Sequence, residues 1–438
     1  MVFRRALSLF LSAVLLGAAG CASGDSTSSL ISAPSPSAPA TDKKIVYNVM
    51  MDQVLNSTTA YNQDVWRLIA SLQGLINRNF AQGQPALYID FDPYDFSWLN
   101  YMKEPGKMLA DYTVVNLINL PQVLDTFSDV LQTHGLVLWD PAVNATANVA
   151  ATICGVEGWL PVRNDEAPES LCGILTARGI PVKCSLVGKF TGAGHIPETD
   201  RESTGSAKCD AYLWAMDHYL ERTNPDFLAY MPDGASANPD DDLAKSDDVR
   251  DKGQHSCLPN HDYLIAKSAF FVDLSPVEDE IPSDDPAQPL GTDTKTLRTL
   301  LEAMYHHNGG GIIYDVGFIP WWLKYTNHNS DSQYNPNEVE TKLCNLFASY
   351  NIVLEADAAN PCWMTNASLY NKYPQRSSYP NNKPAEIEKY DPDTVYLLLY
   401  VGDYDSSAWL KDKIYSLWDT DRHGERPIMW NFDPNLVE

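Results

Sequence analysis

The feature that most constrains the fold is the alternation of helix-like and strand-like patterns in the last third of the chain. Apolar residues recur at helical spacing in 297–304 and 339–347, and short apolar runs follow each of these segments. The strand-like runs lie at 312–316, 352–354, 395–401 and 427–430. Their starts are roughly 30 to 45 residues apart, which is the repeat of a β/α barrel with modest insertions. The almost unbroken apolar run at 395–401 predicts a strand that is buried on both faces.

The N-terminal half shows a similar alternation with less regularity. Helical spacing at 65–76 precedes a strand-like run at 86–90, and a second helical pattern at 117–131 precedes a run at 135–139. This order predicts an open α/β sheet with parallel strands. The stretch 161–290 is irregular and holds acidic clusters, including a Pro/Asp-rich run at 276–289. Because these clusters lack the D-x-D-x-D-G pattern of a calcium loop, we expect solvated acidic loops.

We therefore predict an α/β protein with small N-terminal α/β domains followed by a (β/α) barrel-like domain. The expected divisions are a signal peptide at 1–21, a disordered Ser/Ala/Pro linker at 22–44, an N-terminal α/β domain at 45–160, a cysteine-containing middle region at 161–290 and the barrel-like domain at 291–438. Four strands are about half of an eight-stranded barrel, so we expect the barrel to be C-terminally truncated.

The N-terminus has the pattern of an export signal. Arg4 and Arg5 precede a short apolar run that ends in small residues before Cys21. This pattern resembles a bacterial lipoprotein signal, in which Cys21 would be lipidated and become the first residue. An ordinary secretory signal that is cleaved nearby is the alternative. Either reading predicts an extracytoplasmic protein, anchored to the membrane if Cys21 is modified and secreted if it is not.

Cysteine usage and charge limit the function further. Five of the eight cysteines lie between Cys154 and Cys257, which predicts disulfides in the middle region of an exported protein. Asn366-Ala-Ser is one of three glycosylation sequons, which matter only in a eukaryotic host. The chain has 31 Lys and Arg against 57 Asp and Glu, a net charge of −26. Such an acidic chain repels phosphate backbones, so we predict no nucleic-acid partner.

Carboxylates follow the strand-like runs of the C-terminal third. Glu355 and Asp357 follow the run at 352–354, and Asp403 and Asp405 follow the run at 395–401. Because β/α barrels carry their chemistry on the loops after the strands, we expect these carboxylates at one rim. Paired carboxyl groups in a partly apolar cleft differ in pKa, which suits one as an acid and the other as a base or nucleophile. This pairing predicts cleavage of a glycosidic bond.

Aromatic and cationic side chains of the same loops are candidates for substrate binding. They are Trp321, Lys324, Tyr404 and Trp430, and the indole rings would stack on a sugar ring. Each candidate has an alternative role: Asp405 would cap the next helix, Glu355 and Asp357 would make structural hydrogen bonds, the Trp residues would be core, and Lys324 would neutralise carboxylates or be an ordinary surface lysine. Dinucleotide, phosphate-loop and nucleophile-elbow motifs are absent, and the histidines lack ligand spacing, so we predict no cofactor and no metal.

Several short segments, in order along the chain, resemble the GxGYxYP family of glycoside hydrolases. They are Ser71-Leu-Gln-Gly-Leu-Ile-Asn-Arg78, Pro85-Ala-Leu-Tyr-Ile, Asn148-Val-Ala, Pro259-Asn-His-Asp-Tyr263, Pro289-Leu-Gly-Thr-Asp293, Gly317-Phe-Ile-Pro-Trp321, Lys324-Tyr-Thr326, Glu355-Ala-Asp-Ala358, Gly402-Asp-Tyr-Asp-Ser406 and Trp430-Asn-Phe-Asp-Pro434. The resemblance implies small N-terminal α/β domains in front of a barrel-like domain. The G-x-G-Y-x-Y-P motif itself does not occur in this chain.

These observations together predict an exported glycoside hydrolase that acts on an extracellular polysaccharide or glycan by carboxylate acid/base catalysis. The first alternative is a non-catalytic surface glycan-binding protein or an inactive truncated relative, in which the aromatic residues matter and the carboxylates do not. The second alternative is a metal-dependent carbohydrate esterase that uses the same carboxylates. A carbohydrate is the expected partner in each case.

Overall fold

The structure is a computed structural model. It describes residues 44–55, 59–91, 93–232, 258–320, 324–328, 330–355, 364–374, 391–397, 399–401, 411, 422, 425 and 429–430. The predicted signal peptide and all but the last residue of the predicted linker, including Cys21, lie outside these residues.

The first unit is a three-stranded parallel sheet with helices around it. Its elements, in chain order, are β1 (Ile45–Met50), α1 (Met51–Val54), α2 (Thr59–Asn77), β2 (Ala86–Asp90), α3 (Pro93–Met102) and β3 (Thr113–Leu117). The strand order is β2-β1-β3, so β1 is central. The predicted helix at 65–76 and the predicted strand at 86–90 correspond to α2 and β2.

The second unit repeats this arrangement. Its elements are α4 (Leu120–Thr126), α5 (Ser128–His134), β4 (Leu136–Trp139), α6 (Ala145–Glu157), β5 (Leu160–Arg163), α7 (Leu171–Ala177) and β6 (Val182–Ser185). The strands are parallel and their order is β5-β4-β6. The single helix predicted at 117–131 is two helices that meet at Phe127.

The third unit has four parallel strands and is the largest. It contains α8 (Ala207–Tyr219), β7 (Phe227–Tyr230), α9 (His261–Lys267), β8 (Phe270–Val272), α10 (Thr292–His307), β9 (Ile313–Val316), α11 (Pro336–Ala348) and β10 (Ile352–Glu355). The strand order is β10-β9-β7-β8. The helices and strands predicted between residues 297 and 354 are α10, β9, α11 and β10. Strands β7 and β8 and helices α8 and α9 were not predicted, because their stretch of sequence shows no clear period.

All three sheets use the same local order, in which the first strand lies between the second and the third. In each unit the chain moves to one side of the central strand and then crosses to the other side. The point of reversal leaves a crevice at the carboxyl ends of the strands, and ligands of open α/β sheets bind in such crevices. The mixed α/β class with parallel strands is therefore confirmed, whereas the truncated barrel-like domain stays a prediction.

The run at 395–401 differs from the prediction of a buried strand. Among its described residues, only Tyr400–Val401 is a strand, β11, which pairs in parallel with β12 (Met429–Trp430). The short helix α12 (Ala367–Tyr370) precedes β11 in the chain. Val395 and Leu397 are 91% and 82% exposed. An apolar run predicts a strand that is stable when other parts of the protein cover it, and the sequence pattern does not show which part that is. None of the described residues covers Val395 or Leu397.

The predicted domain limits can be compared with the sheets. The limit at 160/161 falls within β5, and the limit at 290/291 falls between β8 and β9 of one sheet. The division into domains stays a prediction. None of the helices in the described ranges is both long and apolar enough to cross a bilayer.

The expectation of a disulfide-rich middle region is wrong for three of its five cysteines. Cys154, Cys172 and Cys209 are buried free thiols in helices, whereas Cys184 is disulfide-bonded. Burial raises the pKa of Cys154 to about 12, so this thiol stays protonated and unreactive at neutral pH. The physical reason is that a buried thiol packs as a small apolar group, so cysteine spacing alone does not imply a crosslink.

The segment 364–374 docks on the first unit through buried polar side chains. The Asn366 amide donates to Ile89 O at 2.8 Å and accepts from Ile89 N at 2.7 Å and from Gln73 Nε2 at 2.6 Å. Asn366 is fully buried, so the sequon at this position is not accessible to a glycosyltransferase in the folded chain. The hydrogen bonds of the Asn366 amide take the place of those that a neighbouring strand would make at the edge of β2.

Helix α2 packs closely on α9 at Gly74. A β-carbon at Gly74 would lie 2.4 Å from Asp262 O and 2.8 Å from Ile265 Cβ. We expect Gly74→Ala to destabilise the protein by about 1–3 kcal/mol through overpacking, whereas the same change in an open helix stabilises by about 1 kcal/mol. Urea unfolding measures the difference. A variant that is more stable than the parent would contradict this packing.

Candidate functional site

The candidate site lies at the carboxyl edge of the third sheet, where β7 is central between β8 and β9. Three segments meet at this edge: Met231 and Pro232 after β7, Asp273 after β8, and the described residues 317–320 and 324–325 after β9. Tyr230 N donates to Asp315 Oδ1 of β9 at 2.9 Å, which links the central strand to its neighbour. This place is the switch point of the sheet and therefore the expected position of a ligand crevice.

A buried cluster of three aspartates and two lysines, which we call the charge cluster, occupies this edge. It consists of Lys208, Asp273, Asp284, Asp293 and Lys324. Lys324 Nζ lies 2.8 Å from both Asp273 Oδ2 and Asp284 Oδ2. The Asp273 side chain is fully buried and that of Lys324 is 8% exposed. Carboxylates this deep are stable only with a cation at contact distance.

Lys208 forms the second half of the charge cluster. Its Nζ lies 2.9 Å from Asp284 Oδ1 and 2.6 Å from Asp293 Oδ2. Lys208 is in the first turn of α8, a helix that is buried on most of its faces, so the backbone itself carries the ammonium group into the core. The cap of α8, Ser206, accepts from Cys209 N and donates to Asp285 Oδ2, which fixes the acidic loop against the helix.

Asp293 is held by neutral donors as well as by Lys208. Ser275 N and Gln288 Nε2 each donate to its carboxylate at 2.9 Å, and Cys209 Sγ lies 3.3 Å from Oδ1. Asp293 is 1% exposed in the first turn of α10, where a carboxylate is also favoured by the helix dipole. These contacts together fix the orientation of the Asp293 carboxylate.

Tyr325 packs beneath both lysines. Lys324 Nζ and Lys208 Nζ lie 5.0 Å and 5.6 Å from its ring centroid, within the range of cation–π attraction. Its hydroxyl lies 3.4 Å from Asp273 O and from Asp284 Oδ2. The backbone φ of Tyr325 is 73°, which is strained for a bulky residue, and strain of this kind is concentrated at functional sites.

The electrostatics keep Asp284 and Lys208 ionised at neutral pH. Burial alone would raise the pKa of Asp284, but the adjacent Lys324 and Lys208 outweigh burial and hold the pKa well below its usual range. Burial alone would lower the pKa of Lys208, but Asp293 and Asp284 raise it. Asp284 is thus a fixed negative charge and not a proton donor.

This arrangement corrects the expectation of a solvated acidic loop at 276–289 for the Asp284 side chain, although most residues of 278–289 are exposed. The Asp284 side chain is 19% exposed and contacts two lysines. The sequence could not show this, because Lys208 and Lys324 are 76 and 40 residues away from it along the chain. Lys324 is likewise not a surface lysine, and among the described residues it neutralises carboxylates of the acidic loop and of the β8 edge.

A small cleft of about 10 Å³, with room for about one water molecule, lies after β7. Its lining residues come from all three units and are Arg67, Asn148, Met231, Pro232, Leu258, Pro259 and His261. His261 Nε2 is 2.9 Å from Ser71 Oγ, and both side chains are buried. Burial first, and the Arg67 charge second, hold the pKa of His261 well below its ordinary value, so the ring is neutral at pH 7.

Tyr212 connects the cleft to the charge cluster. Its hydroxyl accepts from Asn148 Nδ2 at 3.2 Å and from Asp273 N at 3.0 Å. Asn148 Nδ2 also donates to Met231 O at 2.9 Å, just after β7. The Tyr212 hydroxyl therefore links Asn148, which lines the cleft, to the backbone of Asp273 in the charge cluster.

Most of the site residues predicted from the sequence lie outside the described residues. These are Trp321, Asp357, Asp403, Tyr404 and Asp405, together with the side chains of Glu355 and Trp430, whose backbones end β10 and β12. The structure describes Lys324 fully and brings it to the charge cluster. Glu355 pairs with Val316 at the same carboxyl edge of the sheet.

Several site residues were missed by the sequence analysis. Asp273 directly follows the buried run Phe270–Val272, so the rule that carboxylates follow strands would have found it had that three-residue strand been recognised. Lys208 and Arg67 carry no local signal, because each is one cation within a helix. Within the described ranges, no group of three His, Cys, Asp or Glu side chains is arranged to hold a metal ion.

We expect Lys324→Met to lower the free energy of unfolding by about 3 kcal/mol at pH 7, because Asp273 and Asp284 lose a buried counter-charge. Lys295→Met is the matched control, since Lys295 is exposed on α10 and should change stability by no more than about 0.5 kcal/mol. Urea denaturation of both variants measures the difference. Equal losses would show that the charge cluster contributes nothing to stability.

The neutral state of His261 predicts a pH dependence. Below the unfolded pKa of about 6.5, the unfolded chain binds a proton that the folded chain does not, so stability falls by up to about 1.4 kcal/mol per pH unit. His261→Gln removes this contribution, so the difference in unfolding free energy between wild type and variant should shrink from pH 7.5 to pH 5.5. Parallel stability curves over this range would contradict a low pKa.

The fold is similar to a known crystal structure. The structure of a protein from Bacteroides thetaiotaomicron VPI-5482, described as a "putative hydrolase", superposes with a TM-score of 0.52 at 16% sequence identity. The match covers 90% of this chain and 58% of that protein, so this chain spans little more than half the length of its structural relative. Among curated proteins, none matches this chain.

Two family models match the N-terminal half. Residues 54–129 match the first domain of GxGYxYP_N, and residues 133–223 match the GxGYxYP_N second domain. The first match begins after β1 and extends into α5, and the second match runs from the end of α5 through α8 of the third unit. Asn148 in the cleft and Lys208 in the charge cluster fall within the second match. With both N-terminal domains matched in order, residues 54–223 of this chain are similar to the N-terminal region of the GxGYxYP family.

Proposed function

We propose that this protein is an exported glycoside hydrolase whose active site is the carboxyl edge of the third sheet. The observation that carries the proposal is the charge cluster beside the cleft at the switch point of this sheet. A buried, ion-paired arrangement with a strained aromatic residue supplies rigid polar groups next to a crevice. The similarity to the GxGYxYP family and the fold shared with a "putative hydrolase" support the hydrolase class.

Asp284 of the charge cluster is unsuited to proton transfer, because the lysines hold it ionised by lowering its pKa. A general acid must be a carboxyl group without such close cations. We propose that the catalytic pair comes from Glu355, Asp357, Asp403 and Asp405. The backbone of Glu355 at the end of β10, beside β9, supports this choice. The fixed charges of the charge cluster would then orient the reacting carboxylates and restrict the substrate to one binding mode.

The proposed substrate is an extracellular polysaccharide or glycan, with Trp321, Tyr404 and Trp430 as stacking surfaces. Export through the N-terminal signal, with Cys21 as the lipid-bearing residue, would bring the protein to this substrate. Lys324 would act through the charge cluster and not by direct contact with the sugar, since its ammonium group is engaged by Asp273 and Asp284.

The test measures release of reducing ends from a panel of polysaccharides. Asp403→Asn should lower hydrolysis by about 10²-fold or more with sugar binding retained, because loss of one acid or base removes a transition-state contribution. Asp129→Asn is the control, since Asp129 is an exposed residue of α5 and should leave activity unchanged.

Three results would redirect the proposal. Binding without hydrolysis in the wild-type protein would favour the non-catalytic glycan-binding function. Activity that is lost on adding a chelator and restored by a divalent ion would favour the carbohydrate esterase. Full hydrolysis by Asp403→Asn would move the acid/base pair to Glu355 and Asp357, which the variants Glu355→Gln and Asp357→Asn would then test.

A further inference from the structure

The amino half of the third sheet carries aromatic and apolar side chains on a face that is open to solvent. Phe227, the first residue of the central strand β7, pairs in register with Tyr314 of β9. Their ring centroids are 6.1 Å apart, and Tyr314 is 39% exposed. Val353 of β10 pairs with Tyr314, so it lies on the same face, and it is 37% exposed. This face begins at the end of the strands that is remote from the candidate site.

Lys267 adds a positive charge beside these rings. It is the last residue of α9, and its Nζ lies 5.0 Å from the ring centroid of Phe227 and 5.3 Å from that of Tyr263. Both distances are within the range of cation–π attraction. The rings of Phe227 and Tyr263 are themselves in edge contact, with centroids 5.9 Å apart. The ammonium group is therefore held at a defined place next to the open face.

Lys372 supplies a second positive charge. Its Nζ donates to Arg78 O at 2.8 Å. Burial lowers the pKa of both lysines, and the charge of Lys267 lowers the pKa of Lys372 further. Within the described part of the chain, neither lysine pairs with a carboxylate, and the nearby Asp226 accepts from Asn308 Nδ2 at 2.8 Å. Two half-buried ammonium groups thus repel each other in a chain of net charge −26.

A structural role accounts for part of this arrangement. Lys267 ends α9, and Arg78 O lies just after the last residue of α2, so each ammonium group is also favoured by the negative end of a helix dipole. That role requires neither the exposed ring of Tyr314 nor the open apolar face beside it. The combination of an exposed ring with two cations that lack a counter-charge indicates a ligand.

We propose that Phe227, Tyr263, Lys267, Tyr314 and Lys372, which we call the basic aromatic patch, bind an acidic polysaccharide. Its carboxylate or sulfate groups would supply the counter-charge for the two lysines, and the apolar face of a sugar ring would cover the ring of Tyr314. Phe227 lies between Tyr314 and Lys267, so one ligand contacts both only if it extends across the patch, as a chain of sugar rings does.

Single-stranded nucleic acid also combines flat rings with anions. Proteins that bind it use several successive aromatic residues along a positively charged groove. Here two lysines accompany Tyr314, whereas Phe227 and Tyr263 are half-buried, so an acidic polysaccharide fits better. The patch is remote from the candidate site, and this inference does not depend on the proposed hydrolase activity.

The test is a calorimetric titration of the full chain with polygalacturonate, dextran sulfate and neutral dextran. We expect an anionic polymer to bind and neutral dextran not to bind, with the affinity falling as NaCl is raised from about 50 to about 500 mM. The first two polymers distinguish carboxylated from sulfated sugars. Because a chain of net charge −26 repels anionic polymers in general, binding requires a local positive patch.

Variants assign the binding to the patch. Lys267→Met keeps the length of the side chain and should weaken binding about tenfold, because one charge-assisted contact is lost, whereas Lys267→Arg should keep most of the affinity. Tyr314→Thr suits an exposed strand position and should weaken binding about threefold through loss of stacking. Lys295→Met is the matched control, since it removes the same charge from an exposed position on α10 and should bind as wild type.

Thermal unfolding of each variant separates binding from folding. A lower Tm of Lys267→Met with unchanged affinity would overturn the proposal, because Lys267 would then serve only the end of α9. Equal losses of affinity in Lys267→Met and Lys295→Met, stronger binding of oligothymidylate than of either acidic polymer, or no binding of these polymers would also overturn it. Hydrolysis of a neutral polysaccharide without binding of acidic polymers would overturn this inference alone, whereas binding without hydrolysis would overturn only the proposed function.

Discussion

Pairing of buried charges at the edge of the third sheet is the interaction on which the candidate site depends. Asp273 is fully buried and Asp293 nearly so, and both would be untenable in the core without Lys324 and Lys208. The two lysines come from α8 and from the segment after β9, so the pairing joins elements that are distant in sequence. It also fixes the acidic loop through Asp284, and it places the strained Tyr325 under both ammonium groups.

The repeated strand order determines where the charge cluster lies. Three successive units each put their first strand in the centre, so each has a crevice where the chain reverses direction. In the third unit the crevice holds the charge cluster and the cleft. The cleft is lined from all three units, with Arg67 from the first, Asn148 from the second and His261 from the third. The site is therefore a product of how the units pack and not of any single unit.

Local sequence patterns predicted the elements that have strong periods and failed where tertiary contacts decide. Helix α2, strand β2 and the run from α10 to β10 follow from apolar spacing, because one face of each element is buried. The short strands β7 and β8 and the all-round buried helix α8 have no such contrast between faces. Three cysteines expected in disulfides are packed thiols, and Asn366, the first residue of a sequon, is buried at the edge of β2.

The amino-acid sequence by itself determined the α/β class with parallel strands and the acidic net charge, because these depend on composition and on local periodicity, and its short motifs carried the resemblance to the GxGYxYP family. It also indicated that carboxylates follow the strands of the C-terminal third. Only the tertiary structure decided that Asp273, Asp284 and Asp293 share Lys208 and Lys324, because these contacts join residues up to 85 positions apart. Ion pairing depends on distance in space and on exclusion of water, and neither can be read from spacing along a chain.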